Sequence, residues 1–199
     1  MKRVLLAAVA ASFLAAPAIA ASSDSTTITL DGSVADTCLI GTAATSSLTN
    51  VTPTTETDLD ITALADAGTA LIQDAAATVT FANSYCNYAH SFGFQAANGA
   101  LAYDSSVTVT PSSGTFLQQV GYTATLDWSE LASPLSISST NDTSASASGS
   151  AVNDTTTATG AFRGDLVFTV DLDETTSASI PLLSGGYSET FTLSLGATL

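Results

Sequence analysis

Segment after segment of this chain alternates apolar with small polar side chains at a period of two, and that periodicity restricts it to β-structure. "FRGDLVFTVDLD" places Leu166, Phe168, Val170 and Leu172 on one face. "QQVGYTATLDW" does the same with Val120, Tyr122, Ala124, Leu126 and Trp128. "TTITLDGSVADTC" sets Ile28, Leu30, Gly32 and Val34 against Thr27, Thr29, Asp31 and Ser33, and reads as a further strand. "ATVTFANSYC", "SFGFQAANGAL", "SSVTVTPSS" and "PLSIS" add shorter runs, with turn signals at Asn98-Gly99 and a stop at Pro111. Short strands separated by turns, without a long helical stripe, predict an all-β sandwich.

Two stretches interrupt the pattern. "TALADAGTALIQDAA" suits a short helix or an irregular loop equally well, because Gly68 and the threonines weaken its helical spacing. "STNDTSASASGSAVNDTTTATG", residues 139–160, is almost free of apolar side chains and reads as a long loop or hairpin arm outside the core.

Residues 1–20 have the layout of a secretory leader. Lys2 and Arg3 precede an apolar run from Val4 to Ala15, and "AIA" offers a small-residue cleavage site before Ala21. The expected organisation is a signal peptide over 1–20 and one domain over 21–199, with no membrane span, destined for the cell exterior. Beyond the leader one basic residue, Arg163, stands against 18 acidic ones, a net charge of −17. Such a surface repels nucleic acid and anionic lipid, whose recognition rests on Lys and Arg. In an oxidising compartment the two cysteines, Cys38 and Cys86, are expected to be bridged.

Residues that carry chemistry are scarce. His90 is the single histidine, and no "GxSxG" elbow accompanies it, so no catalytic residue is assigned. Glu56, Asp58 and Asp60 in "TETDLD", and Asp171, Asp173 and Glu174 in "DLDE", do not follow the calcium-loop pattern. Alternate acids on a strand mark its solvent face, and no metal or other cofactor is expected. "NVT" at Asn50 and two "NDT" tripeptides fit the glycosylation sequon, which arises readily in a Thr-rich chain.

The last fifteen residues, "GGYSETFTLSLGATL", carry Phe191, Leu193 and Leu195 in alternation almost to the terminus. An apolar strand there exposes a backbone edge that invites another chain. A strand ending in cysteine ("ITLDGSVADTCLIG"), a second ending in its partner ("VTFANSYC"), then "SFGFQAANGAL" and this terminal strand occur in the order seen in a known group. The chain resembles the spore coat protein U family and the subunits of archaic chaperone/usher pili, with Gly32, Val34 and Cys38 in the N-terminal pattern and Gly186, Tyr187 and Glu189 in the turn before the last strand.

The resemblance implies an incomplete, pilin-type immunoglobulin-like sandwich whose missing strand comes from the neighbouring subunit. Ile28, Leu30 and Val34 would be donor anchors, with Gly32 at a shallow point of the groove. Phe191, Leu193 and Leu195 would form the acceptor edge, which a periplasmic chaperone covers before exchange at an outer-membrane usher. Cys38 and Cys86 would form an intrasubunit bridge, and Gly186 would permit the turn into Tyr187 and the last strand. The implied partners are copies of the chain or related subunits. The competing expectation is a self-complete sandwich that binds glycans or other surface ligands through exposed aromatics such as Tyr103, Tyr122 or Trp128.

Overall fold

The computed structural model describes residues 29–104, 115–128, 133–139, 150–172 and 179–196. The proposed leader, Ile28, "SSVTVTPSS", Asp173 and Glu174 lie outside them. The chain divides into two units, Met1–Val34 and Ala35–Leu199. In the first, residues 29–34 form no strand, and the side chains of Leu30 and Val34 are 93% and 85% exposed. The strand expected over this segment is therefore not formed. Its alternation is intact, but β-structure requires a ladder partner for its N–H and C=O groups, and no strand among the described residues pairs with it.

The second unit is all-β, and its paired strands among the described residues are antiparallel, with one isolated parallel bridge between Leu117 and Leu182. Its strands are β1 (Cys38–Leu39), β2 (Thr42–Thr49), β3 (Val51–Thr55), β4 (Asp58–Ile61), β5 (Ala75–Cys86), β6 (His90–Ala96) and β7 (Leu101–Tyr103). They continue as β8 (Gln119–Val120), β9 (Tyr122–Trp128), β10 (Leu135–Ser139), β11 (Val152–Ala158), β12 (Phe162–Leu172), β13 (Tyr187–Ser188) and β14 (Phe191–Leu195). One sheet has the order β1-β5-β12-β9-β10, with β2 also paired to β5. A second has the order β11-β6-β14. β13-β7-β8 form a small sheet, and β3-β4 an isolated hairpin.

The inward residues of these sheets meet in a single core, as their alternation dictates. In β9, Tyr122, Ala124, Leu126 and Trp128 are all buried, and Thr123 and Asp127 are exposed. β6 supplies Phe92 and Phe94, which cross the core to Trp128 and Phe168 at ring distances of 5.5 and 6.0 Å. Each large ring removed from water contributes on the order of 2–3 kcal/mol, so these cross-sheet contacts hold the layers together.

The Cys38–Cys86 disulfide is formed, joining directly opposed residues of β1 and β5. In the loop-closure picture a bridge across this separation contributes about 4 kcal/mol. Residues 62–74 resolve as an irregular loop rather than a helix. Asp66 organises its turn, with Oδ1 accepting from Gly68 N at 3.0 Å, Thr69 N at 2.8 Å and Thr69 Oγ1 at 2.8 Å. The Thr69 hydroxyl first, and then these amides, hold the Asp66 carboxyl below the usual carboxylate range.

Of the two readings of 139–160, a loop or a hairpin arm, the loop fails for Val152–Ala158, and residues 140–149 lie outside the described residues. The second half of the stretch forms β11, paired residue for residue with β6 from Val152↔Ala96 to Ala158↔His90. Ala158 is buried. A threonine-rich strand needs little apolar content when it lies at the side of a sheet, because β-branched residues suit the pleat and the ladder supplies the hydrogen bonds.

Candidate functional site

The two layers are tied at one side and open at the other. At the tied side Asp154 of β11 accepts from the Ser136 N–H of β10 at 2.9 Å, linking the margins of the two sheets. At the open side β14 pairs only with β6 among the described residues, in the register Phe191↔Ala96 to Leu195↔Phe92. Its other backbone edge has no strand partner there.

Beside that edge is a groove of about 560 Å³. Its floor is Ala75, Ala77, Val79 and Phe81 of β5 with Phe168, Val170 and Leu172 of β12, and Phe191 and Leu193 of β14 form one wall. The opposite wall is the β3–β4 hairpin, through Val51, Leu59 and Ile61. Tyr122, Leu101 and Glu189 lie at one end. Small residues explain the hollow: alanines at 75 and 77 stand opposite Leu172 and Val170, so β5 brings no bulk to this part of the floor.

β14 is fixed at both ends. Phe191 packs against Phe168 and Tyr122 with ring centroids 4.9 and 5.2 Å apart. Just before it, Glu189 accepts from the amides of Asn98 at 2.9 Å and Thr190 at 2.8 Å, and from the Tyr122 hydroxyl at 3.1 Å. Burial, and after it the Glu189 charge, push the Tyr122 hydroxyl well above the usual tyrosine range. Beyond Leu195 the chain turns at Gly196, whose φ of +88° favours glycine and whose N–H reaches Ser91 O at 2.8 Å. Leu195 is half-buried against the core but does not line the groove.

In the Gly185-Gly186 turn the steric demand falls on the first residue. A Cβ on Gly185 would run into the Tyr103 ring, whereas one on Gly186 would meet Asp104 Cβ at an ordinary 3.7 Å. Gly186 acts through its carbonyl, which accepts from Asp104 N at 2.7 Å. Tyr187 opens β13 with its hydroxyl 2.8 and 2.9 Å from the carbonyl oxygens of Leu183 and Leu117.

Tyr103, Tyr122 and Trp128 do not form an exposed aromatic face. They are 6, 1 and 0% exposed, because their inward register places them in the core. His90 is also buried, with Nδ1 2.8 Å from Tyr88 O and its ring 5.4 Å from that of Trp128. Among the described residues no three His, Cys, Asp or Glu side chains gather as metal ligands. Nor is any helix there long and apolar enough to cross a membrane.

Sequence reasoning missed the hairpin wall and the glutamate network. The signal for the first was present: Leu59 and Ile61 alternate with Asp58 and Asp60, and two residues, Glu56 and Thr57, separate Thr55 from its partner Asp58. Fold and site together define an all-β, disulfide-bridged sandwich with an apolar groove beside an open edge strand. No family model, curated protein or solved structure matches the chain.

Proposed function

We propose that this protein is a non-catalytic structural subunit of a secreted or surface fibre or coat, built by donor-strand complementation. One observation carries the reading: the open edge of β14 flanks an apolar groove, while the same chain has Leu30 and Val34 exposed in a segment that joins no strand among the described residues. Residues 28–34 of one copy supply side chains at the two-residue spacing of Phe191, Leu193 and Leu195, so they fit the edge of the next copy as an added strand. Burying Leu30 and Val34 contributes about 1.5–3 kcal/mol each, and the new ladder satisfies backbone groups on both partners.

In this reading the sandwich is immunoglobulin-like and lacks its final strand. Residues 1–20 direct secretion, and the disulfide suits an oxidising periplasm. A periplasmic chaperone covers β14 until an outer-membrane usher exchanges it for the next subunit. The test uses two assembly-dead variants, Ile28→Asp/Leu30→Asp as an acceptor without a donor and Leu193→Asp as a donor without an acceptor. Each alone is expected to stay monomeric by sizing and electron microscopy, and the mixture to form a heterodimer. Fibres persisting in Ile28→Asp/Leu30→Asp, or a wild-type protein that remains a stable monomer without a chaperone, would sink the proposal.

A further inference from the structure

We infer that the β3–β4 hairpin is half of the strand-acceptor site: it blocks the competing edge of the sandwich and supplies the wall that selects the incoming strand. The inference rests on the donor-strand reading above and commits to the same occupant, residues 28–34 of a second copy.

A sandwich open at one side has two edges there, β14 in one sheet and β2 in the other. Both could template an added strand. They are not equally available. On β2 the Thr45 N–H is taken at 2.8 Å by Glu56 Oε2, from the tip of the hairpin, and the Thr45 hydroxyl lies 3.4 Å from the same oxygen. Thr45 is itself paired with Val79 of the groove floor, so Glu56 anchors the tip beside the cavity.

The base of the hairpin is held as firmly. Asn50 Nδ2 donates to Ala63 O at 2.6 Å and Asp74 O at 3.2 Å, its Oδ1 accepts from Ala63 N at 3.0 Å, and its backbone carbonyl accepts from Thr62 N at 2.9 Å. These bonds also occupy the side chain of the "NVT" sequon. Anchored at both ends, the hairpin turns Leu59 and Ile61 inward and Asp60 to solvent, while Thr57 and the exposed Asp58 also line the groove. A strand entering the groove therefore finds backbone partners on β14 and an apolar flank on the hairpin, with Val51 opposite Ile61 completing that flank. A charged side chain set against Val51, Leu59 and Ile61 finds no hydrogen-bonding partner among those three residues.

The experiment measures binding of a fluorescent peptide of residues 26–35 to full-length, chaperone-free Ile28→Asp/Leu30→Asp protein by anisotropy. Leu59→Asp and Ile61→Ala are each expected to weaken binding at least tenfold, and Glu56→Ala several-fold. A peptide carrying Leu30→Asp should lose binding. Near-ultraviolet dichroism confirms that each variant retains its fold. If Ile61→Ala does not fold, Leu59→Asp and Glu56→Ala decide the matter, since Leu59 sits between exposed residues and Glu56 is exposed. Unchanged affinity in the hairpin variants, with binding still lost in Leu193→Asp, overturns the role of the hairpin and leaves the donor-strand reading intact. Absence of binding to the starting protein overturns that reading itself.

Discussion

Replacing Glu189 by alanine should destabilise the fold by about 2–4 kcal/mol, although the residue is only half-buried. Its carboxylate receives three hydrogen bonds, from Asn98 N, Thr190 N and the Tyr122 hydroxyl. They differ in what replaces them. Thr190 is exposed, so water takes over its amide at almost no cost. Asn98 is half-buried and loses about 1 kcal/mol. Tyr122 is 1% exposed, and a buried hydroxyl left without its acceptor costs about 1–3 kcal/mol. For a domain of this size each kcal/mol lowers Tm by roughly 2–4 °C, so the melting point should fall by around 10 °C.

Thermal and urea unfolding, followed through the fluorescence of the buried Trp128, read this directly. A double-mutant cycle isolates the decisive bond: Tyr122→Phe should cost about 1–2 kcal/mol in the native background and almost nothing once Glu189 is alanine. If Glu189→Ala melts within a degree of wild type, or if Tyr122→Phe costs the same in both backgrounds, the network does not anchor β14.

Other outcomes follow from the same contacts. Cys38→Ala/Cys86→Ala should lose about 4 kcal/mol in urea unfolding, the loop-closure contribution of the bridge. Gly185→Ala should cost about 1–3 kcal/mol through its clash with Tyr103, and Gly186→Ala should stay within about 0.5 kcal/mol of wild type, as thermal melts of the two variants will show. Burial raises the hydroxyls of both Tyr122 and Tyr187 above their ordinary pKa near 10. Each is neutral in the fold and ionises more easily once unfolded, so stability is full below about pH 10 and declines above it, which unfolding midpoints between pH 8 and 11 will record.

Much of the architecture was legible because period-two alternation has one structural solution. Tyr122 to Trp128 and Leu166 to Leu172 occupy the strands their patterns predict, and Asn98-Gly99 turns where expected, with Gly99 at φ +67°. What escaped reading depends on partners distant in the chain. The "NDTTTA" of β11 is a strand because β6 lies beside it. "TITLDGSV" alternates as well as any segment, yet residues 29–34 form no strand without a neighbour. The groove was half visible: Phe191 and Leu193 announced one wall, but the other is built from Val51, Leu59 and Ile61 inside a stretch dominated by Thr and Asp. The hollow itself comes from alanines 75 and 77, whose smallness matters only opposite Val170 and Leu172.

The charge of the chain bears on how an open edge can be tolerated. β14 lacks the devices that usually blunt an edge strand, since "FTLSL" holds no lysine, proline or bulge and turns Thr192 outward. With one basic residue against 18 acidic ones beyond the proposed leader, protection falls to the molecule as a whole. Like-charged copies repel at distances up to about a Debye length, roughly 8–10 Å at physiological salt, so casual edge-to-edge encounters are discouraged. Repulsion of that kind is modest and non-specific. It is exceeded only by a partner that both pairs with the backbone and buries several apolar side chains in the groove, the role proposed for Leu30 and Val34 of another copy at about 1.5–3 kcal/mol apiece. In the assembly proposed here, acidity sets the threshold and groove shape sets the specificity, and the strand proposed to satisfy both, residues 28–34, belongs to the same chain.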